Sequence, residues 1–153
     1  MFRIVFWFLA FLFLMLAWLV WAILRPTLFT RRIERALRQF VRDRDALEAA
    51  FFQAAAASGK PRGLAWKQCA FQQGVVLARD RANGEIVGLV GVTIGFEAIE
   101  GGGMEDVEAV GNLRAATALF THNGRAWATQ GRALFNLEPR EVLVRYKGSL
   151  DAL

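Results

Sequence analysis

Residues 83–99 read NGEIVGLVGVTIGFEAI and combine a turn signal with a long apolar strand pattern. The pair Asn83-Gly84 predicts a tight hairpin turn because both residue types tolerate positive φ. The fifteen residues that follow would extend about 50 Å at about 3.3 Å per residue, well beyond the usual strand length. Glycines inside a strand often mark bends or bulges, and three divide this one: Gly88, Gly91 and Gly95. We therefore predict a long, curved central strand that is entered through a hairpin.

The residues on both sides of this strand continue the extended pattern. Before the turn, residues 64–71 and 74–80 are short strand candidates. After it, residues 107–122 form a second long candidate, and residues 125–137 follow a second Asn-Gly pair. Strands joined by short turns predict an antiparallel meander of about five strands.

A helical pattern precedes the meander over residues 30–58, with Thr30 as N-cap and a Ser-Gly-Lys-Pro stop at 58–61. Steps of four and three place one set of side chains on a single face: Ile33, Leu37, Phe40, Arg44, Leu47, Phe51 and Ala54. We predict that this face packs on the sheet, while the same spacing also permits a coiled-coil homodimer through residues 33–54. A short C-terminal helix begins at Pro139, and its apolar stripe comprises Val142, Leu143, Tyr146 and Leu150.

The N-terminal residues 4–24 contain no charge, no glycine and no proline. At about 1.5 Å per residue this run would rise about 31 Å, close to the thickness of the hydrocarbon core of a bilayer. A cleaved signal peptide is the alternative, but its apolar region is usually about 7–15 residues and ends in a small-x-small site, which the bulky residues here do not form. We therefore predict a transmembrane anchor at residues 1–25.

Aromatic and basic side chains flank the apolar run, as is typical at membrane interfaces. The predicted interface residues are Trp7, Trp18, Trp21, Arg25, Arg31, Arg32 and Arg35. Seven arginines follow the run within residues 25–44 and only Arg3 precedes it, a bias typical of a cytoplasmic flank. We predict a single-pass protein of the bacterial inner (cytoplasmic) membrane with its folded domain in the cytoplasm. A periplasmic domain is the alternative topology.

These patterns together predict an α+β protein in three parts. Residues 1–25 would be the transmembrane anchor and residues 26–60 a basic amphipathic helix. Residues 61–153 would form the curved antiparallel sheet and the C-terminal helix, packed with residues 30–58 as one soluble domain. The element order is similar to that of cystatin-like and NTF2-like folds.

Two segments carry a more local resemblance. The sequences GKPRGL at 59–64 and EGGGMEDVEAV at 100–110 resemble those of uncharacterised single-span bacterial membrane proteins with a small soluble α+β domain. This resemblance implies a membrane-anchored domain and brings no particular activity with it.

The net charge of +5 is concentrated at the N-terminal end. Residues 1–60 hold nine basic and four acidic side chains, whereas residues 61–153 hold ten of each. Basic residues beside an apolar run favour contact with anionic lipid headgroups rather than with nucleic acid. The predicted partners are therefore a lipid bilayer and a membrane protein, and no nucleic acid is expected.

Few residues offer catalytic or ligand chemistry. The single histidine, His122, adjoins the second Asn-Gly turn and is predicted to be exposed. The single cysteine, Cys69, lies in a strand pattern and is predicted to be a small buried side chain rather than a nucleophile. These two residues lack metal-ligand spacing, and the triple glycine at 101–103 lacks the helix start of a phosphate-binding loop. We predict no catalytic residue, no metal and no cofactor.

Five carboxylates surround the triple glycine: Glu97, Glu100, Glu105, Asp106 and Glu108. A solvated hairpin tip is the simplest interpretation. An acidic docking surface for a basic partner is an alternative, and so are a calcium site or a catalytic carboxylate pair. The run lacks the Asp/Asn alternation of an EF-hand loop, which disfavours calcium.

Two functions follow as hypotheses from these patterns. The preferred one is a non-enzymatic, membrane-tethered subunit or adaptor of a larger membrane-associated assembly. The alternative is a small-ligand-binding or enzymatic pocket in the concave face of the curved sheet. Its predicted lining residues are Trp66, Phe96, Phe120, Trp127 and Phe135.

Overall fold

A computed structural model describes residues 2–58, 63–104, 107 and 111–153, and the chain divides into two compact units, Met1–Arg35 and Ala36–Leu153. The described helices are α1 (Phe2–Arg42), α2 (Arg44–Ser58) and α3 (Pro139–Arg145). The described strands are β1 (Leu64–Phe71), β2 (Val76–Asp80), β3 (Ile86–Ala98), β4 (Arg114–His122), β5 (Trp127–Ala128), β6 (Ala133–Phe135) and β7 (Leu150–Ala152). The fold is α+β with an antiparallel sheet.

The first unit contains the N-terminal part of α1. Every side chain from 11 to 22 is apolar and exposed. Among the helices that the structure describes, none combines the length and the apolarity needed to cross a membrane. The predicted transmembrane anchor at residues 1–25 is therefore wrong on this finding.

Two further predictions depended on that anchor and are corrected with it. They are the single-pass membrane class and the location at a bacterial inner membrane, in either topology. The membrane-interface role predicted for the flanking aromatic and basic residues also depended on the transmembrane anchor. Within α1 the following side chains are exposed: Trp7, Trp18, Trp21, Arg31, Arg32 and Arg35. The side chain of Arg25 lies outside the described part of the chain.

The predicted helix over 30–58 is divided between α1 and α2. Thr30 lies inside α1 rather than at a helix start, and Asp43 separates the two helices. The helical bonding pattern nevertheless continues across Asp43, because its N–H donates to the Gln39 carbonyl (2.9 Å) and its carbonyl accepts from the N–H of Leu47 (3.0 Å). The Arg42 guanidinium holds the pKa of the Asp43 carboxyl below its usual value through a 2.7 Å hydrogen bond. The junction is therefore a local irregularity within an otherwise helical path.

β3 is the centre of the sheet in the second unit. β4 pairs with one side of β3, while β2 and β1 pair one after the other along its opposite side. β7 extends the sheet beyond β2, and β5 and β6 lie one after the other along the outer side of β4. All of these pairings are antiparallel. The described sheet has seven strands, whereas five were expected.

The division of the last predicted strand into β5 and β6, together with β7, accounts for the two additional strands. Two local insertions interrupt the pairing along the outer sides of β3 and β4. Between β1 and β2 the chain takes five steps, from Phe71 to Val76, opposite only three steps of β3. Between β5 and β6 it takes five steps, from Ala128 to Ala133, opposite only three steps of β4. Two extra residues interrupt the ladder in each case, so the predicted strand at 125–137 is observed as two short ones.

The sheet is covered on both sides, which explains why β3 is almost continuously buried. On one side, called here the α2 face, Phe40 and Phe51 of the helices pack on Phe120 with ring centroids 5.4 and 5.8 Å apart. On the other side, the α3 face, Val142 packs on a buried cluster that includes Val87 and Leu89.

The C-terminal segment also differs from the prediction. α3 ends at Arg145, and Leu150, expected on its apolar stripe, belongs to β7. β7 pairs with the outer edge of β2, and the Arg81 guanidinium donates to the Asp151 carboxylate at 2.5 and 2.9 Å. An exposed strand edge leaves backbone groups without partners, and β7 satisfies those of β2.

Candidate functional site

His122 is a structural histidine at the end of β4. Only 4% of its surface is exposed, so the prediction of an exposed turn residue is wrong. The backbone N–H of Gly124 donates to Nδ1 (3.1 Å), and Nε2 lies 3.1 Å from Oε1 of Gln39. Since Nδ1 accepts a hydrogen bond, the proton of the neutral ring belongs on Nε2, which then donates to Gln39. The imidazole thereby joins the end of α1 to the turn after β4.

Cys69 lies in β1 opposite Ile94 and is partly buried on the α2 face. Burial raises the pKa of its thiol from 9.0 to about 11. The thiolate is the nucleophilic form of cysteine, so this group is almost entirely in its unreactive form at neutral pH. Its environment is that of a small apolar side chain.

The five aromatic residues predicted to line a concave pocket all lie on the α2 face. Trp66 and Phe96 are 5.2 Å apart, and Phe96 and Phe135 are 6.3 Å apart. Phe120 and Trp127 each make edge-to-face contact with Phe40, at 5.4 and 5.0 Å. The Trp127 indole N–H also donates to the Ala36 carbonyl (2.8 Å). These contacts place the aromatic rings in the core between the sheet and the helices, with only Phe135 substantially exposed.

The acidic segment is described in part. Glu97 and Glu100 are exposed, and the Glu97 carboxylate lies 4.0 Å from the Lys67 ammonium. Glu105, Asp106 and Glu108 lie outside the described residues. Within the part of the chain that is described, no group of three or more His, Cys, Asp or Glu side chains could hold a metal ion.

A polar cavity of about 240 Å³ opens beside the α3 face. Its lining comes from the β2–β3 hairpin, from β4 and from the insertion between β5 and β6: Asn83, Glu85, Leu119, Thr121, Thr129, Gln130 and Arg132. A carboxylate, a guanidinium, a hydroxyl and an amide therefore share one small concavity. This arrangement can accept and donate hydrogen bonds and can bind both signs of charge.

Hydrogen bonds hold two walls of the polar cavity. In the hairpin, the Asn83 side chain accepts from the Glu85 N–H (2.9 Å) and donates to the Glu85 carboxylate (3.1 Å). In the insertion, the Thr129 hydroxyl donates to the Leu119 carbonyl (2.9 Å) and accepts from the Gly131 N–H (3.1 Å). These bonds fix the Asn83, Glu85 and Thr129 side chains in the walls of the cavity.

A second, more open concavity of about 440 Å³ lies along α3. It is lined by Leu137, Arg140, Glu141, Val144 and Arg145. Val144 projects into solvent with 74% of its surface exposed. This concavity is a shallow groove with two arginines at its border.

Sequence reasoning identified the Asn83-Gly84 turn and missed the polar cavity beside it. The signal for Glu85 was present, because it follows a turn whose geometry is local. Arg132 and Thr121 approach the hairpin only through the pairing of β3 with β4 and the insertion after β5. No spacing in the sequence connects these three residues.

Comparison of the chain with protein-family models, with curated proteins and with solved structures finds no match in any of the three.

Proposed function

We propose that this protein is a non-enzymatic subunit or adaptor that joins a larger protein assembly through the apolar segment of α1, defined as residues 11–22. The observation that carries the proposal is that all twelve side chains of this segment are apolar and exposed. Contiguous exposed apolar surface of this kind marks an interaction site.

The energy available in this segment is large enough to support stable association. Burying one fully exposed large apolar side chain contributes about 1.5–3 kcal/mol. The ten large side chains of the segment are between 46% and 71% exposed, so covering all of them contributes roughly 9–17 kcal/mol. Association itself costs roughly 4–15 kcal/mol in lost motional freedom. Covering most of the apolar segment therefore offsets the cost of binding, whereas covering one or two residues does not.

The shape of the segment indicates the kind of partner. Its side chains are apolar around the whole circumference of the helix, and such helices are buried on all sides. A single flat contact would leave half of them exposed. The partner is therefore a protein that surrounds the helix, for example with several helices of its own.

In the second unit, the environments of His122 and Cys69 support a non-enzymatic role. Both ring nitrogens of His122 are engaged by Gln39 and Gly124. The raised pKa of Cys69 keeps its thiol protonated. Neither group is arranged as a nucleophile or a general base.

Affinity capture of the full-length tagged chain, followed by mass spectrometry and reconstitution with the purified partner, tests the proposal. Leu14→Glu with Val20→Glu places two charges in the apolar segment, and each unpaired buried charge costs several kcal/mol. We expect this double variant to weaken partner binding by about a hundredfold or more. Val144→Glu is the matched control, an apolar-to-acidic change at an exposed position outside the segment, and should bind normally. Equal binding by the double variant, or the absence of any stoichiometric partner, would contradict the proposal.

A further inference from the structure

The polar cavity contains two side chains of opposite charge that do not pair with each other. Glu85 and Arg132 both line it, yet among the described residues no ion pair joins them. The Glu85 carboxylate has one hydrogen-bond donor, the Asn83 amide. The Arg132 guanidinium has no side-chain partner anywhere in the described chain. Arginine and carboxylate pair readily when they meet, so their separation leaves both groups available to a third one.

Two neutral polar groups accompany these charges. The Thr121 hydroxyl and the Gln130 side-chain amide line the same cavity, and neither has a hydrogen-bond partner in the described residues. The Thr129 hydroxyl, in contrast, is used by the Leu119 carbonyl and the Gly131 N–H. The cavity therefore offers donors and acceptors that the fold itself does not consume.

The fold sets the position of the Glu85 side chain and of the backbone at Arg132 in advance. Glu85 is oriented by Asn83, whose hairpin is closed by the Gly84 N–H on the Asp80 carbonyl (2.8 Å). The Arg132 carbonyl accepts from the Leu119 N–H (3.1 Å), which returns the chain to β4 directly after the insertion. A site whose polar groups are preorganised loses less free energy on ordering when a ligand binds.

We propose that the polar cavity binds a small zwitterion with the chemistry of a free α-amino acid. The ligand carboxylate would lie on the Arg132 guanidinium, whose fork geometry fits a carboxylate in two contacts. The ligand ammonium would lie on the Glu85 carboxylate, and the Thr121 hydroxyl and Gln130 amide would complete the hydrogen bonds. A volume of about 240 Å³ is below the roughly 300–1,000 Å³ of pockets for drug-sized ligands, which restricts the ligand to a few heavy atoms beyond the zwitterionic group.

Titration of the ¹⁵N-labelled full chain with L-serine, followed by amide NMR, tests the proposal. We expect saturable shifts confined to the amides of residues 83–85, 119–121 and 129–132, with a dissociation constant on the order of 1 mM. Acetate carries only the carboxylate and ethylammonium only the ammonium, so each should bind about tenfold more weakly or not measurably.

Variants distinguish the two charges from general surface effects. Arg132→Gln and Glu85→Gln should each weaken serine binding about tenfold, because each removes one charged hydrogen bond. Arg132→Lys keeps the charge but loses the two-point contact, and it should bind with intermediate affinity. Arg125→Gln, a change at an exposed arginine outside the cavity, is the matched control and should bind as the unmodified chain does.

Three results would overturn the proposal. The first is the absence of saturable shifts with serine up to about 10 mM, well above the expected dissociation constant. The second is binding of acetate as tight as that of serine, which would describe a simple anion site. The third is unchanged serine affinity in both glutamine variants while their amide spectra show an intact fold.

Discussion

Gly131 is the position where the packing of α2 on the sheet can be tested most directly. Its backbone has φ +70°, and a Cβ built there would lie 2.6 Å from the Ala54 carbonyl carbon and 2.7 Å from the Ala55 Cα, besides meeting the Ala55 nitrogen. These are main-chain atoms of a helix and cannot move aside as a flexible side chain does. Gly131→Ala therefore requires α2 or the insertion between β5 and β6 to shift.

The expected loss has two parts. An alanine at positive φ costs about 1–2 kcal/mol relative to glycine. Forcing an extra methyl group into a closely packed contact costs about 1–3 kcal/mol more. The sum of about 2–5 kcal/mol is a large fraction of the roughly 5–15 kcal/mol that stabilises a typical domain.

Gly84→Ala separates these two parts. Gly84 has φ +72°, almost the same as Gly131, but a Cβ there would have no neighbour within 4 Å. It should lose only the conformational cost of about 1–2 kcal/mol. Urea unfolding followed by near-UV circular dichroism, which reports the packed Trp66 and Trp127, gives both free energies. If Gly131→Ala loses no more than Gly84→Ala, then α2 does not approach the insertion as described and the reasoning is refuted.

Three further predictions use other contacts of the second unit. Val142→Ala truncates a fully buried side chain of α3 and should lower the free energy of unfolding in urea by about 1–3 kcal/mol. Val144→Ala, on the exposed side of α3, should change it by less than about 0.5 kcal/mol. Equal losses would mean that α3 does not dock through Val142. Trp127→Phe should cost about 1–3 kcal/mol because it leaves the buried Ala36 carbonyl without its indole donor, and an unchanged unfolding midpoint would argue against that bond. Cys69, with its pKa raised from 9.0 to about 11, should react with iodoacetamide at pH 8 about a hundredfold more slowly in the folded than in the unfolded chain. Because the folded state disfavours the thiolate, this group should also reduce stability as the pH rises from about 9 to about 11, and equal alkylation rates in the two states would contradict both expectations.

The strands whose signals are local were predictable to within a residue or two. β1 occupies the predicted residues 64–71, and β3 lies inside the predicted 85–99. A hairpin forms at Asn83-Gly84, closed by the Gly84 N–H on the Asp80 carbonyl, but its connection is longer than a tight turn and only Gly84 of the pair has positive φ. Turn chemistry and side-chain alternation act over a few residues, so the sequence contains this information directly.

The division of the fifth predicted strand and the end of the C-terminal helix were not predictable in this way. β6 separates from β5 because Gly131 passes close to the backbone of α2, which lies more than seventy residues earlier in the chain. Leu150 leaves the helical stripe because the edge of β2 offers backbone partners to β7. Both outcomes depend on elements that are distant in sequence.

The candidate site residues divide in the same manner. A small, unreactive cysteine in a strand could be inferred from its neighbours, and Cys69 has that environment. The burial of His122 could not be inferred, because its partner Gln39 is brought to it by the packing of the helices on the sheet. The polar cavity likewise required β4 and the following insertion to be placed against the hairpin.

The amino-acid sequence by itself determined the α+β composition, the central strand and its hairpin, and an apolar N-terminal run that the structure places in an exposed part of α1. These properties follow from composition, periodicity and turn residues, each of which acts within a short window. Only the tertiary structure decided which face of the sheet each helix covers and that Glu85 and Arg132 share one cavity. It also decided that position 131 has no room for a side chain. Such relationships arise when strands far apart in the chain take a common register, because the register alone determines which side chains meet.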